Sequence, residues 1–280
     1  MAAQPHSEGI AGHLHYWTYV VDKGNPFMQI HLDTMTVTIL IAAAMTIFSF
    51  WLKARLVDGT PSGTQNFIES VIDFINQTVR DNFPVHNPLI APLAMTVFVF
   101  ILLCNTMDIL PAYLMLHIAH LFGIEHFRPV PTNDLNLPAA MAVSVFIMVL
   151  YYEMKLKPLH FLKELLLEPF ASLLLGAKNP VVKLLGILLI PINLILKIVE
   201  EVAKPLSLSF RLFGNMFAGE VIFLLIAFLL LSGGPVGKFF GFFVGLGWSA
   251  FHLFIGLLQA FIFMILTVVY LSIAHQPVEH

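Results

Sequence analysis

Arg211 stands in the run Leu208-Ser209-Phe210-Arg211-Leu212-Phe213, with apolar sequence on both sides. A charge near the centre of a bilayer costs about 2.5–3.5 kcal/mol on insertion scales, so such a group is a functional candidate by default. A guanidinium keeps its proton at any accessible pH. Arg211 is therefore a fixed positive charge: it can hold a carboxylate ionised, and it cannot pass a proton on. On a helix, Lys204 and Glu200 fall within about 20° of its face and Asn215 within about 40°. Glu220, further along the same run, points the opposite way. In a later apolar run His252 and Gln259 share a face to within about 20°. With Gln259 level with Arg211, His252 lies ~10 Å and Glu220 ~13 Å further toward one surface. Asp108, near the end of a separate apolar run, falls in the same half. Carboxylates and an imidazole gathered at one depth have the composition of a proton path.

These residues need apolar helices to hold them, and the composition supplies those. The chain has 280 residues, 58% hydrophobic and only 11% charged, against roughly 25% charged in an ordinary soluble domain. Mean hydropathy is +0.86. The expected class is an all-α integral membrane protein. A net charge of −3 leaves no basic surplus for nucleic acid. The single cysteine, Cys104, excludes an internal disulfide framework and reads as a small buried apolar residue.

Five membrane-embedded helices are expected, at about 35–52, 89–110, 137–152, 184–231 and 239–274. Residues 63–83 carry Glu69, Asp73 and Arg80, with Phe67, Val71, Ile72, Ile75 and Val79 at 3–4 spacing. That pattern predicts one amphipathic helix lying in the interface. The last two helices exceed the bilayer thickness and should be strongly tilted, joined by the turn Ser232-Gly233-Gly234-Pro235. Residues 1–34 read as a polar outer segment without a signal-peptide pattern, 35–280 as a single membrane domain, and 155–183 as a cytoplasmic loop. Eight basic residues (Lys53, Arg55, Arg80, Lys155, Lys157, Lys163, Lys178, Lys183) fall on one side and three (Lys23, Arg128, Lys238) on the other. The larger group marks the cytoplasm, with the N-terminus outside and the C-terminus inside.

Other chemistries find less support. His117, His120 and His126 form H-x-x-H with a third histidine downstream, but there is no H-E-x-x-H, and interfacial histidines outside the membrane explain them more simply. No Walker-type loop, G-x-S-x-G or G-x-G-x-x-G is present, so no nucleotide, cofactor or metal is expected. A free-standing ion channel or secondary transporter is the alternative, weakened by the lack of repeats. Gly241 and Gly245 have the spacing for close helix packing, either within the chain or against another subunit.

The segment Lys204-Pro205-Leu206-Ser207-Leu208-Ser209-Phe210-Arg211-Leu212-Phe213-Gly214-Asn215-Met216-Phe217-Ala218-Gly219-Glu220 resembles subunit a of the bacterial F-type ATP synthase. Phe251-His252, Leu258-Gln259-Ala260-Phe261-Ile262-Phe263 and Tyr270-Leu271-Ser272 agree, as do Asn105-Thr106-Met107-Asp108-Ile109-Leu110-Pro111 and Pro131-Thr132-Asn133-Asp134-Leu135-Asn136. The match covers nearly the whole chain in order. The resemblance implies a non-catalytic stator in the bacterial inner membrane, N-terminus periplasmic, beside a ring of c subunits and with the b subunits of the peripheral stalk. Arg211 would be the essential arginine facing each c-ring carboxylate. Glu220 and His252 would line the periplasmic half-channel, with Asn215 and Gln259 as polar neighbours of the arginine. Two departures stand out. Where the bacterial pattern often has Glu after Asn-Leu-Ile-Leu, this chain has Lys197, and residues 170–190 look like an insertion. Glu200, one turn nearer Arg211, is expected to replace the missing acid on the cytoplasmic path, kept ionised by Lys197 through an i,i+3 contact.

Overall fold

The computed structural model describes residues 18–20, 29–56, 59, 63–85, 87–109, 130–167, 170 and 180–276. His117, His120 and His126, and residues 171–179 of the stretch read as an insertion, lie outside the described residues. The architecture is all-α, with one short hairpin before the first helix. β1 (Thr18–Val20) and β2 (Gln29–His31) pair antiparallel, Thr18 opposite His31. The helices are α1 (Leu32–Arg55), α2 (Thr64–Asn82), α3 (Ile90–Thr106), α4 (Asn136–Leu156), α5 (Pro158–Leu167), α6 (Pro180–Ser232) and α7 (Gly234–His275).

Four of these, α1, α4, α6 and α7, are long and apolar enough to cross a membrane. α3 is apolar with 17 residues, roughly 26 Å; the 3-10 turn Met107–Ile109 continues it and carries Asp108. The interfacial helix appears as α2, with Ile75 and Val79 buried and Phe67 and Ile72 at the surface. That half-buried state suits a helix lying in the headgroup region. The break between the last two helices falls where expected: Gly234 takes φ +60°, a left-handed conformation that a glycine adopts without Cβ strain. α6 begins at Pro180, earlier than 184, and α5 occupies part of the stretch read as a cytoplasmic loop.

The chain divides into two compact units. The first comprises Met1–Glu69, Thr96–Leu137 and Phe213–Phe261. In it, Val37 and Ile41 on α1 bury against Cys104, with Phe100, Leu103, Met107 and Leu137 packed around them. The opposite face of α1 leaves Ile39, Leu40, Ile47 and Phe50 uncovered, as lipid contact requires. Gly241 and Gly245 meet α6: a Cβ at Gly241 would come within 2.8 Å of Leu230 Cδ2, and one at Gly245 within 3.3 Å of Ile226 Cγ2. These glycines therefore serve packing within the chain.

The second unit comprises Ser70–Met95, Pro138–Leu212 and Ile262–His280. Phe263, Met264, Val268 and Leu271 on α7 form its fully buried apolar stripe at helical spacing. A small cleft there is lined by Val145 and Val149 of α4, Lys204, Pro205 and Leu208 of α6, and Tyr270 of α7.

A polar knot secures the start of α1. The buried Asp134 carboxylate accepts hydrogen bonds from the Thr34 hydroxyl at 2.7 Å and the Asn136 amide at 3.1 Å, and its Oδ2 lies 2.6 Å from His31 Nδ1. Burial pushes the Asp134 pKa up, but the Thr34 and Asn136 hydrogen bonds and the His31 interaction outweigh it, so the carboxyl sits below its ordinary range. Its folded-state pKa is thus lower than its unfolded one. The stabilisation is present above the unfolded value, near pH 4, and is lost as pH falls through the folded value. Thermal melts in detergent should show a Tm that drops on acidification below about pH 4. Asp134→Asn should lower Tm at neutral pH and flatten that acid limb.

Candidate functional site

The first unit gathers the polar side chains expected on the outer path, in a different grouping. His252 on α7 is buried, and its Nε2 lies 2.6 Å from Asp108 Oδ2 in the turn that follows α3. Phe223 packs edge-on to the imidazole at 5.5 Å, and Trp248 stacks at 6.3 Å. The ring rests directly on Gly219 of α6, where a Cβ would occupy the volume of the imidazole. Glu220 is next in sequence, and its Oε2 accepts a hydrogen bond from Asn133 Nδ2. So the structure pairs His252 with Asp108 and Glu220 with Asn133, and the Gly219-Glu220 step joins the two pairs.

Asn105 ties these segments together. Its Nδ2 donates to the Gly256 carbonyl at 3.0 Å, and its Oδ1 accepts from the Thr132 hydroxyl at 2.9 Å. Asn105, Thr132 and Asn133 are all buried. A buried amide with both ends bonded fixes the distance between the segments it joins. Gln259 is buried further along α7, and Asn215 is half-buried on α6.

In the second unit, Arg211 is exposed on α6. Its Nη2 donates to Ser207 Oγ at 3.4 Å, one turn earlier. Among the described residues no carboxylate lies within ion-pair distance of it. A guanidinium in an apolar helix is costly to leave unpaired in lipid.

Toward the start of α6 the charges are densely paired. Lys197 Nζ lies 2.8 Å from Glu164 Oε1 on α5, 3.3 Å from Glu200 and 3.6 Å from Glu201. Lys204 holds Glu201 at 2.6 Å. The expected i,i+3 contact between Lys197 and Glu200 is therefore present. Glu201 is enclosed with 9% of its side chain accessible, while Glu200 keeps 59%. Glu200 and Arg211 are both exposed on α6.

Several contributors escaped sequence reasoning. Asn133, Thr132 and Asn105 lie inside quoted motif blocks without an assigned task. Glu164 sits in a stretch read as a loop, and the need for glycine at 219 arises from a ring on another helix. No group of three or more His, Cys, Asp or Glu arranged to hold a metal occurs among the described residues.

The Gly219 contact yields a specific expectation. Gly219→Ala should force the imidazole of His252 away from Asp108 and lower Tm in detergent by several degrees, as overpacking a tight contact does. Gly247→Ala, where a Cβ would meet nothing within 4 Å, should leave Tm near normal.

Comparison with known proteins shows the family. The family described as ATP synthase A chain matches residues 35–272. The chain is 46% identical over 255 residues to ATP synthase subunit a of Pseudomonas aeruginosa, covering 89% of this chain and 85% of that one. It is 39% identical over 278 residues to ATP synthase subunit a 1 of Methylococcus capsulatus, covering 99% of both. It is also 39% identical over 282 residues to the subunit a of Pasteurella multocida, covering 100% of both. The buried polar network, the uncompensated arginine and the apolar helices thus occur in a chain that belongs to the ATP synthase A chain family.

Proposed function

We propose that this chain is the ion-translocating stator of a bacterial ATP synthase, working against a ring of c subunits in the inner membrane and carrying no catalytic centre of its own. The observation that supports the reading best is the exposed Arg211 with no carboxylate partner among the described residues. A ring carboxylate facing lipid must be neutral, because a bare charge there is too costly. Opposite Arg211 the same carboxylate ionises, since a nearby positive charge depresses its pKa. The ring therefore exchanges protons only where it meets the stator. Arg211, which never gives up its own proton, keeps the two aqueous half-channels apart. Each charge crossing the membrane contributes about 2.3 kcal/mol per 100 mV, which ring rotation carries to the catalytic head.

The outer half-channel runs past Glu220, Asn133, His252 and Asp108, with Gln259 and Asn215 as further polar residues of α7 and α6. The N-terminus is periplasmic and the C-terminus cytoplasmic, and the peripheral stalk's b subunits hold the chain still. The inner half-channel uses Glu200. Its exposure, and the engagement of Glu201 by Lys204 and Lys197, support that choice.

Arg211→Ala should abolish coupled ATP synthesis in membrane vesicles, and Arg211→Lys should fail largely too, because a lysine in a low dielectric can lose its proton. Normal ATP-driven proton pumping by either variant overturns the reading. Glu200→Gln should reduce proton flux more than Glu201→Gln does, with the complex assembled in both. Equal and negligible effects would remove Glu200 from the path.

A further inference from the structure

The contact that Glu220 makes with Asn133 leads, one residue on, to Asp134, and through Asp134 to His31. Asp134 lies 4% and His31 26% accessible by side chain, so this series begins inside and ends at water. His31 ends β2, held by its register opposite Thr18, immediately before α1. Among the described residues Asp134, from the segment before α4, contacts it, and Asp33 stands two residues on at the start of α1. Asp33 is fully buried, and its Oδ2 has no hydrogen-bond partner among the described residues. A buried carboxylate oxygen left open is uncommon, and a water molecule is the natural group to satisfy it. β1 contributes no charge, its residues being Thr18, Tyr19 and Val20.

We propose that His31 is the proton-collecting group at the mouth of the outer path, feeding Glu220 through the polar interior bounded by Asp33, Asp134 and Asn133. The inference rests on the reading of Glu220 as an outer half-channel residue. Imidazole is the side chain that exchanges protons near neutral pH. Asp134 accepts from His31 Nδ1, which leaves Nε2 to take a proton from bulk water. His31 then releases that proton to interior water and returns to its neutral form, and Glu220 receives it. The Asn133 amide carries no net proton; it orients the Glu220 carboxylate. Asp134 is held ionised by its hydrogen bonds, so it fixes the ring without trapping the proton.

A purely structural His31 would tie β2 and α1 to the segment before α4 and do nothing more. His31→Asn separates the two roles: its Nδ2 can still donate to Asp134, but it cannot exchange a proton at neutral pH. His31→Gln is the second variant should the first assemble poorly. Each is measured in the whole complex, in vesicles whose proton-delivering side contains either dilute buffer or concentrated imidazole. In dilute buffer at and above neutral pH, ATP synthesis should fall roughly fivefold, less than the loss of a positioned acid–base group because bulk water still supplies protons. Concentrated imidazole should restore it, and the loss should shrink as the delivering side is acidified. Synthesis equal to wild type in dilute buffer, or a loss that imidazole does not restore in an assembled complex, overturns the proposal. Arg211→Ala run alongside separates the two readings. If it abolishes synthesis while His31→Asn is silent, only the assignment of His31 fails; if it leaves synthesis intact, the stator reading fails with it.

Discussion

Hydrocarbon tolerates a charge only where something answers it, and this constraint orders the polar residues of the chain. Asp134 is answered by Thr34, Asn136 and His31. Lys197 is answered by three glutamates. Glu220 has Asn133, and Asp108 has His252. Arg211 has only a serine hydroxyl in reach among the described residues. In the proposed reading, a ring carboxylate of the same complex answers it.

Much of this was legible in the sequence because hydropathy acts over long windows. The spans containing α1, α4, α6 and α7, the amphipathic α2 and the Gly234 turn all follow from composition and local chemistry. Arg211, Glu220 and His252 stood out because ionisable residues are rare in apolar runs. Features that needed two distant segments at once were hidden. Asn105, Thr132 and Asn133 are ordinary polar residues until folding brings 105, 132 and 256 together. Gly219 looks like one more small residue until the His252 ring is seen resting on it. The β1–β2 hairpin was missed because three-residue strands are too short to display alternation. α5 reads as loop from sequence because the stretch 155–183 is rich in lysine, although α5 itself holds only Lys163 among five leucines.

The grouping of the outer residues refines the sequence picture. Glu220 and His252 were expected to meet as a pair of titratable groups. Each also has a partner of its own, Asn133 for Glu220 and Asp108 for His252, and the backbone step from Gly219 to Glu220 joins the two contacts. Two short contacts arranged in this way separate the task of orienting a carboxylate from that of orienting an imidazole. Asn105 holds both to a common frame through Gly256 and Thr132.

The Lys197 cluster also bears on how such a chain can change over generations. Three glutamates surround this lysine, and Lys204 neutralises only one of them. Restoring an acid at 197 in a single step would place four carboxylates around one remaining ammonium, a repulsive arrangement in a partly buried site. The lysine at 197 and the glutamates at 164, 200 and 201 therefore form one electrostatic set, in which the charge at any one position limits the charges the others can carry.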